Sequence, residues 1–425
     1  MAQPDLALAT GIPKIWGSIP AQNLLFTGRD GLLANLHDQL SSRPAAAALP
    51  PADSAGLVPR ALQGLPGVGK TQVAVEYAHR NQGDYDLVWW IPADQPHLIR
   101  GSIAALAQPL GLPANESASM DDRASEVLDR LRRGDPVRRW LLIFDNADKP
   151  EDLGEFVLPD GPGHTIITSR NPDWHNVVTT LTVQTFTRAE SRLFLRKHLR
   201  NISNKDSDRL NSALGGLPLA MEQAGALQAR TGMSVQEYLE ILDKQASRLL
   251  DQGKPADYPV SATIALTASF NQLITENPQA IELLRCCSFF GPDPIPREVL
   301  SARRDGEGTI LATLFSDPVG FNRAISDLGR YSLAQVDYLN RTLQVHRVTQ
   351  TIVRESLSAE QRQQFQHGVH ILLEMATPND SDNPTSWPRY RELLPHYEPA
   401  RVIECRSSRV RLLVRGVIRY LYMTG

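Results

Sequence analysis

The sequence predicts an α/β domain with a mainly parallel sheet, followed by helical domains that contain one β-hairpin. Apolar runs of strand length alternate with helical periodicity as far as about residue 186. From Thr187 onward the pattern is almost entirely helical. A glycine-rich segment also stands between a short apolar run and an amphipathic helix near residue 64. Strands that alternate with helices are typical of parallel sheets covered by helices.

The glycine-rich segment runs from Gly64 to Thr71 and fits Gly-x-x-x-x-Gly-Lys-Thr, the pattern of a phosphate-binding loop, or P-loop. Glycines let successive backbone N–H groups point at phosphate oxygens, and the following helix adds the positive end of its dipole. Lys70 would neutralise phosphate charge, and the Thr71 hydroxyl would bind Mg²⁺. The alternative is an ordinary glycine-rich turn, but the strand before it and the helix from Thr71 to Arg80 favour the P-loop.

A second nucleotide motif follows further along the chain, where the apolar run 140–144 ends in Asp145. Ligands of open parallel sheets bind at the carboxyl ends of the strands, so this carboxylate would hold Mg²⁺ directly or through water. The next predicted strand, 163–170, ends in Arg170. If the two strands are neighbours, the guanidinium points toward the γ-phosphate and reports its presence. The alternative is a surface arginine.

The region before the P-loop contains three predicted parts. Residues 1–20 form an extended leader in which Trp16 docks on the first domain. Phe26–Asp30 is extended and turns through a glycine into a helix; such a segment can lie beside a nucleotide base, although a structural turn gives the same pattern. Residues 41–56, rich in Pro, Ala and Ser, predict a flexible insert. The nucleotide-binding domain is therefore predicted to span residues 21–186.

Three parts are predicted after this domain. Residues 187–252 form a helical domain, in which Pro218 begins a helix after two glycines. Residues 253–358 combine helices with a hairpin around Asn340, which suggests a winged-helix domain. The hairpin carries little basic excess, which favours packing over DNA binding. Residues 359–425 are predicted to be a helical linker and the start of a repeat region, with the chain continuing beyond them.

Composition indicates a globular protein, with 42% hydrophobic residues, 21% charged residues and a net charge of −3. Such a balance gives no basic field for nucleic acid, so DNA is not the default partner. The cysteines Cys286, Cys287 and Cys405 show no metal-ligand spacing and suit a reducing compartment. We see no signal peptide and no membrane span, and therefore predict a cytoplasmic protein.

In this order, the motifs resemble those of bacterial NB-ARC proteins of the STAND class (signal-transduction ATPases with numerous domains). The similarity is greatest to actinobacterial members in which NB-ARC precedes tetratricopeptide repeats, including the repeat proteins of FxSxx-COOH peptide systems. It covers about residues 16–357. The matching segments are Phe26–Asp30, Gly64–Thr71, Leu141–Asp148, Thr168–Arg170, Gly216–Ala220 and Val345–Arg347.

The resemblance implies ATP or ADP with Mg²⁺, bound between the α/β, helical and winged-helix domains. In such proteins the residues matching Pro218 and His346 pack on adenine and contact the β-phosphate of ADP, which locks a closed state. The implied nucleotide-binding residues are Phe26, Thr27, Arg29, Gly64, Pro66, Gly67, Val68, Gly69, Lys70, Thr71, Gln72, Arg170, Pro218, Leu219 and His346. The implied metal ligands are Thr71 and Asp145, and the implied catalytic residues are Lys70, Asp145, Asp148 and Arg170.

Two departures from the pattern of the class bear on chemistry. Many relatives carry two consecutive acids at the end of the metal-binding strand, whereas here the second position is Asn146. Asp148 is the next carboxylate, so we expect slow hydrolysis. The usual Met-His-Asp triplet is Val345-His346-Arg347, which keeps the histidine but replaces its acidic neighbour and so weakens the expected latch.

The resemblance implies a molecular switch. An ADP-bound closed state would become an ATP-bound, open and self-associating state when C-terminal repeats sense a protein or peptide, and slow hydrolysis would reset it. One alternative is a transcription regulator whose winged helix binds DNA under ATP control. Another is a small-molecule kinase, for which we see no acceptor pocket in the sequence.

Overall fold

The computed structural model describes residues 13–41, 59–113, 119–158, 161–171, 173–174, 177–251, 260–302 and 317–424. The start of the leader, nearly all of the 41–56 insert and the linker before residue 260 lie outside these segments. The chain divides into two compact units, the first ending at Thr185 and the second running from Phe186 to Thr424.

A parallel sheet of six strands forms the centre of the first unit, as far as the described residues show. Its strands are β1 (Ile15–Gly17), β2 (Arg60–Gln63), β3 (Leu87–Pro92), β4 (Trp140–Asp145), β5 (His164–Ser169) and β6 (Thr179–Thr182). Their spatial order is β1-β3-β4-β5-β2-β6. The predicted α/β fold with a parallel sheet is confirmed.

The edge strand β1 lies within the predicted leader. Its backbone pairs in parallel with β3, with Ile15 opposite Leu87 and Gly17 opposite Trp89. The indole of Trp16 packs edge-on against the His79 imidazole, with ring centroids 5.2 Å apart. The predicted docking of this tryptophan is therefore confirmed, and residues 15–17 are part of the sheet.

Helices cover the sheet because apolar residues recur at helical spacing. They are α1 (Asp30–Ser41), α2 (Lys70–Arg80), α3 (Pro96–Ala104) and α4 (Met120–Arg133). A capping box between Ser119 and Asp122 starts α4, and the left-handed Gly134 ends it. Alternate β4 side chains, Trp140 and Leu142, are fully buried in the core under these helices. This core fixes the carboxyl ends of the strands, where the candidate site lies.

The second unit is mainly helical. Its helices are α5 (Arg188–His198), α6 (Asn204–Leu214), α7 (Pro218–Thr231), α8 (Val235–Asp251), α9 (Val260–Glu276), α10 (Pro278–Cys287), α11 (Arg297–Leu300), α12 (Pro318–Arg330), α13 (Arg347–Ser356), α14 (Ala359–Ala376), α15 (Trp387–Tyr397) and α16 (Ser408–Thr424). The helical pattern predicted from Thr187 onward is confirmed. Cys286 and Cys287 are buried in α10, and burial raises the pKa of both thiols.

A small antiparallel sheet accompanies these helices. The predicted hairpin is confirmed as β8 (Gln335–Asp337) and β9 (Thr342–Gln344), and the Asp337 carboxylate accepts from the Leu339 and Asn340 N–H groups in its turn. A further strand, β7 (Ile295–Pro296), pairs with β9 and was not among the predicted elements. Across the described segments, every helix falls short of the length or apolar character needed to cross a membrane.

Candidate nucleotide-binding site

The loop between β2 and α2 depends on glycine. Gly64, Gly67 and Gly69 have φ values of +151°, +77° and +96°, which L side chains rarely adopt. A Cβ at Gly64 would lie 2.4 Å from the carbonyl oxygen of Val183. Pro66 stands in the turn at the tip of this loop, and the Val68 side chain is buried beneath it. The backbone therefore curls as a phosphate-binding loop requires.

The helix after the loop begins without a side-chain cap. Helix α2 starts at Lys70, directly after the left-handed Gly69, and no side chain caps its first turn. The first backbone N–H groups of a helix have no intrahelical acceptor and carry the positive end of the dipole. Thr71 and Gln72, also in this turn, add two further donors. This end of α2 is therefore suited to an anion.

Lys70 lies over the loop. Its Nζ donates to the carbonyl oxygens of Gly64 and Leu65, at 2.9 and 3.1 Å. Burial lowers its pKa to about 8; the charge of Asp145 opposes this shift, and that of Arg170 adds to it. The ammonium therefore already lies inside the loop, and it is close enough to Asp145 and Arg170 for their charges to affect its pKa.

The Asp145 carboxylate is the centre of a cluster of oxygen atoms. The hydroxyls of Thr71 and Thr168 both donate to its Oδ1, at 2.9 and 2.5 Å. The Asn146 side-chain amide donates to Oδ2 at 3.3 Å. Hydroxyl and carboxylate oxygens are the ligands that Mg²⁺ prefers, so Thr71 and Asp145 fit the metal that the P-loop fold implies. The pairing of these two residues was predicted, whereas a contact from Thr168 was not.

Sheet order explains this cluster. Strand β5 lies between β2 and β4 and pairs in parallel with both. Thr168, near its carboxyl end, is level with Leu62 just before the loop. It therefore lies between the P-loop strand and the strand that ends in Asp145. Its position was visible in the sequence, since a hydroxyl residue follows an apolar strand run there, but its partner depends on strand order.

Polar contacts join the loops that follow β4 and β5, beside the Asp145 cluster. Arg170 Nε lies 3.8 Å from Asp148 Oδ1, and both side chains are more than half exposed. The Asn171 side-chain amide also donates to the Asp148 carbonyl oxygen, at 2.8 Å. The β4 and β5 strands are neighbours, as the prediction for Arg170 required. Its contact with a γ-phosphate stays a prediction.

The segment that precedes α1 runs along α2. The Asn23 side-chain amide donates to Gln72 Oε1 at 3.0 Å, and His79 Nε2 lies 3.0 Å from the Pro20 carbonyl oxygen. Nothing in the sequence marked these polar contacts, because each joins residues that are distant along the chain. They place the following residues, 26–29, close to the P-loop helix.

Within this segment, Phe26 packs under the guanidinium of Arg80, 5.7 Å from the ring centroid. Thr27 is buried, and its hydroxyl donates to a carbonyl oxygen two residues earlier. Arg29 has a φ of +66°, and its Nη1 lies 3.5 Å from the carbonyl oxygen of Thr185. The structure thus gives these residues local roles, and their contact with a base or ribose stays a prediction.

The remaining predicted residues belong to the second unit. Pro218 is the first residue of α7, and Leu219 beside it is buried. His346 is the N-cap of α13, where its Nδ1 accepts from the Val348 N–H at 3.2 Å. The first unit therefore brings together the P-loop, Asp145, Asp148 and Arg170, whereas the 26–29 segment contacts Arg80 at the end of α2 and the Thr185 carbonyl oxygen. The roles of Pro218, Leu219 and His346 toward a nucleotide stay predictions.

A family profile and two curated proteins are similar to parts of this chain. A family profile for a domain of unknown function, DUF7779, matches residues 271–362. A nucleotide-binding leucine-rich repeat (NLR)-like protein of Hyaloscypha variabilis is 27% identical over 283 residues, which are 56% of this chain and 28% of that protein. The regulatory protein AfsR of Streptomyces griseus is 27% identical over 290 residues, 65% of this chain and 28% of that protein. The chain thus spans less than a third of either relative.

A solved structure matches nearly the whole chain. A STAND protein with a tetratricopeptide repeat sensor from Pyrococcus horikoshii covers 96% of this chain and 54% of its own, with a TM-score of 0.55 and 15% identity. At this identity the match concerns the fold alone. Together with the parallel sheet and the loop geometry, it supports an α/β P-loop ATPase fold.

Proposed function

We propose that this chain is the nucleotide-dependent switch of a STAND-type signalling protein and that it binds ATP or ADP in its first unit. The observation that carries the proposal is the hydrogen bond from Thr71 to Asp145, at 2.9 Å, beside a helix start that no side chain caps. This arrangement offers an anion site and an oxygen-rich cation site side by side. The nucleotide-binding relative agrees with it.

In this proposal the N–H groups of Gly67 to Thr71 hold the phosphates. Lys70 exchanges its two carbonyl acceptors for phosphate oxygens, a gain because a phosphate is charged and a carbonyl is not. Thr71 and Asp145 would hold Mg²⁺, which would neutralise phosphate charge. The segment 26–29 contacts the base or ribose.

Switching requires that two states bind nucleotide with different affinity. We propose that ADP favours a closed state in which Pro218 and Leu219 pack on adenine and His346 contacts the β-phosphate. The cap on α13 supports a suitable tautomer: Nδ1 accepts a hydrogen bond, so in a neutral ring the proton is on Nε2, which can donate to a phosphate. ATP binding would favour an open, self-associating state.

The reset of the switch is proposed to be slow hydrolysis. Asn146 stands where a second acid would hold an attacking water, and its amide donates to Asp145 Oδ2 instead. Asp148 is the next carboxylate and lies with Arg170. The C-terminal helices 359–424 would lead to the repeats that sense a protein or peptide. Turnover in this proposal resets a state and does not serve to make a product.

The first test is the nucleotide content and affinity of the purified chain. Mass spectrometry of released nucleotide should find ADP. Lys70→Ala should weaken ATP binding by roughly tenfold to a hundredfold, because hydrogen bonds between charged groups are lost. Lys149→Ala, which removes the same charge from an exposed position, is the control. A Lys70→Ala variant with unchanged ATP affinity would contradict the proposal.

A second candidate is regulation of transcription through DNA binding by the second unit. Similarity to a regulatory protein over 65% of the chain favours it, and the hairpin followed by α13 fits a winged-helix domain. The net charge of −3 argues against it. Mobility shifts with genomic fragments, with and without ATP, separate the two. Sequence-specific, ATP-dependent retardation at physiological salt would favour this candidate.

A further inference from the structure

A cluster of metal-ligand types lies in the second unit, far along the chain from the P-loop. His367 and His370 are on α14, and Cys405 follows a short 3₁₀ turn that ends at Glu404. One nitrogen of each imidazole and the cysteine sulfur lie within 4.8 Å of one another. The two histidines are three residues apart and so share one face of the helix.

The spacing within the cluster suits a tetrahedral ion. Cys405 Sγ lies 3.7 Å from His367 Nδ1. A zinc ion with ordinary bond lengths holds sulfur and nitrogen ligands about 3.6 Å apart and two nitrogen ligands about 3.3 Å apart. The cysteine and the first histidine are therefore already at ligand separation. The ligand atom of His370 lies within 4.8 Å of both, so rotation of side chains would complete the set.

His370 supplies an independent indication. The residue is only 5% exposed, and its Nε2 lies 2.6 Å from the Ala400 carbonyl oxygen. A carbonyl oxygen only accepts, so Nε2 carries the proton and Nδ1 keeps its lone pair. This Nδ1 is buried and has no hydrogen-bond partner within the described residues. Histidine ligands of metals commonly donate their other N–H to a carbonyl in this way.

The alternative is a thiol–imidazole hydrogen bond without a metal. Such a bond accounts for Cys405 and His367, but it leaves His370 Nδ1 buried and unsatisfied. Two imidazoles and one thiolate are ligands that suit zinc better than Mg²⁺ or Ca²⁺. His367 is exposed and Cys405 is half-buried, so an ion has access and water can take a fourth position.

We propose that His367, His370 and Cys405 form a Zn²⁺ site that joins α14 to the segment leading into α16. On binding, the Cys405 thiol would release its proton to solvent, and sulfur and the two imidazole nitrogens would each donate a lone pair. Sequence inspection found no metal-ligand spacing around the cysteines. The reason is that the histidines lie on a different helix, and only the fold brings them to Cys405.

The test uses the full chain, stripped with a chelator, without nucleotide, and titrated with Zn²⁺ alone against a chromophoric indicator. We expect one tightly bound zinc per chain with release of about one proton. Titration with Co²⁺ should give a thiolate-to-cobalt charge-transfer band. Cys405→Ser and His370→Gln should each weaken binding by roughly tenfold to a hundredfold or more and remove or alter this band.

His367→Gln changes an exposed side chain and should weaken zinc binding while the metal-free thermal midpoint stays the same. It therefore keeps the test valid if His370→Gln fails to fold. His97→Gln, an exposed histidine of the first unit, is the control and should bind like the parent chain. Absence of a stoichiometric zinc, or zinc binding unchanged in both His367→Gln and Cys405→Ser, would overturn the proposal.

Discussion

Two helix starts in this molecule, those of α2 and α13, are built in opposite ways. The start of α13 is capped by a side chain, because His346 accepts from the Val348 N–H. Helix α2 follows the left-handed Gly69 and has no side-chain cap. Both starts carry residues that were predicted to meet a nucleotide. Of these two starts, only that of α2 leaves its first N–H donors without a cap, as an anion site requires.

Other helices of the chain support this contrast. Ser119, Thr187 and Ser358 each form a capping box at the start of α4, α5 and α14. Where α7 lacks a side-chain cap, Pro218 at its first turn removes one donor. The start of α2 has neither device, although a serine or threonine cap is typically a few tenths of a kcal/mol more stabilising than the glycine found there. The open start is therefore consistent with a functional role.

The largest effect is expected from Gly64→Ala, which disturbs the loop that leads into α2. The new Cβ would meet the Val183 carbonyl oxygen at 2.4 Å, at a φ of +151°. We expect the free energy of unfolding to fall by about 2–4 kcal/mol, from backbone strain and overpacking together. Gly111→Ala is the control, because it has a φ of +69° with no atom within 4 Å. Its cost should be about 1 kcal/mol.

Denaturant unfolding of both variants measures the difference. Equal costs would mean that the loop is not fixed by its contact with Val183.

The second prediction concerns the pH dependence of nucleotide binding at the open start. Burial lowers the pKa of Lys70 to about 8, and a bound phosphate would raise it again. Above that pH, nucleotide binding is then accompanied by uptake of a proton at the Lys70 amine. Affinity should be insensitive to Lys70 below about pH 8 and fall by up to about tenfold per unit above it.

Calorimetric titration with ADP from about pH 7 to 10 measures this slope, since phosphate charge is constant in that range. Lys70→Arg stays protonated throughout, so any affinity that it retains should lose the slope. A flat profile for the parent chain would show that the Lys70 ammonium does not meet the phosphates.

The third prediction separates two roles of His346 at the start of α13, which are capping of the helix and contact with ADP. His346→Ala removes the N-cap of α13 and should lower the free energy of unfolding by about 1 kcal/mol. His346→Asn keeps a capping side chain but removes the imidazole, so its stability should be close to that of the parent. If His346 also latches ADP, both variants should release ADP faster.

Stopped-flow release of a fluorescent ADP analogue, beside denaturant unfolding, distinguishes the roles. His346→Asn with parental ADP release would leave the histidine only its capping role.

Features whose residues are adjacent along the chain could be predicted from the sequence. The P-loop, the strand ending in Asp145 and the hairpin around Asn340 could all be predicted, because their patterns are local. Asp145 lies where expected because it directly follows an apolar run that is typical of a buried parallel strand, and so stands at the carboxyl end of β4. A short strand such as β7 carries no such pattern. Its two residues become a strand only because β9 lies beside them.

Contacts between distant segments were not predictable for the same reason. Thr168 meets Asp145 because β5 lies beside β4, and strand order is set by the packing of the whole sheet. His370 and Cys405 meet because α14 packs near the turn before α16. In each case the residue type suggested a chemistry, but only the fold supplied the partner.

The smallest effect on stability is expected at the ion pair of Asp148 with Arg170. Both side chains are more than half exposed and their atoms are 3.8 Å apart, so Asp148→Asn should change the free energy of unfolding by less than about 0.5 kcal/mol. Asp129→Asn breaks a similarly exposed pair with Arg132 on α4 and is the control.

Phosphate release and ADP affinity then locate the function of the carboxylate. If Asp148 takes the place of the acid that is absent at Asn146, Asp148→Asn should lower ATP turnover by roughly tenfold or more while ADP affinity at the α2 start is unchanged. Turnover equal to that of Asp129→Asn would exclude it as the base. Hydrolysis would then depend on another group to activate the water, and Asp148 would be left with only its exposed ion pair to Arg170.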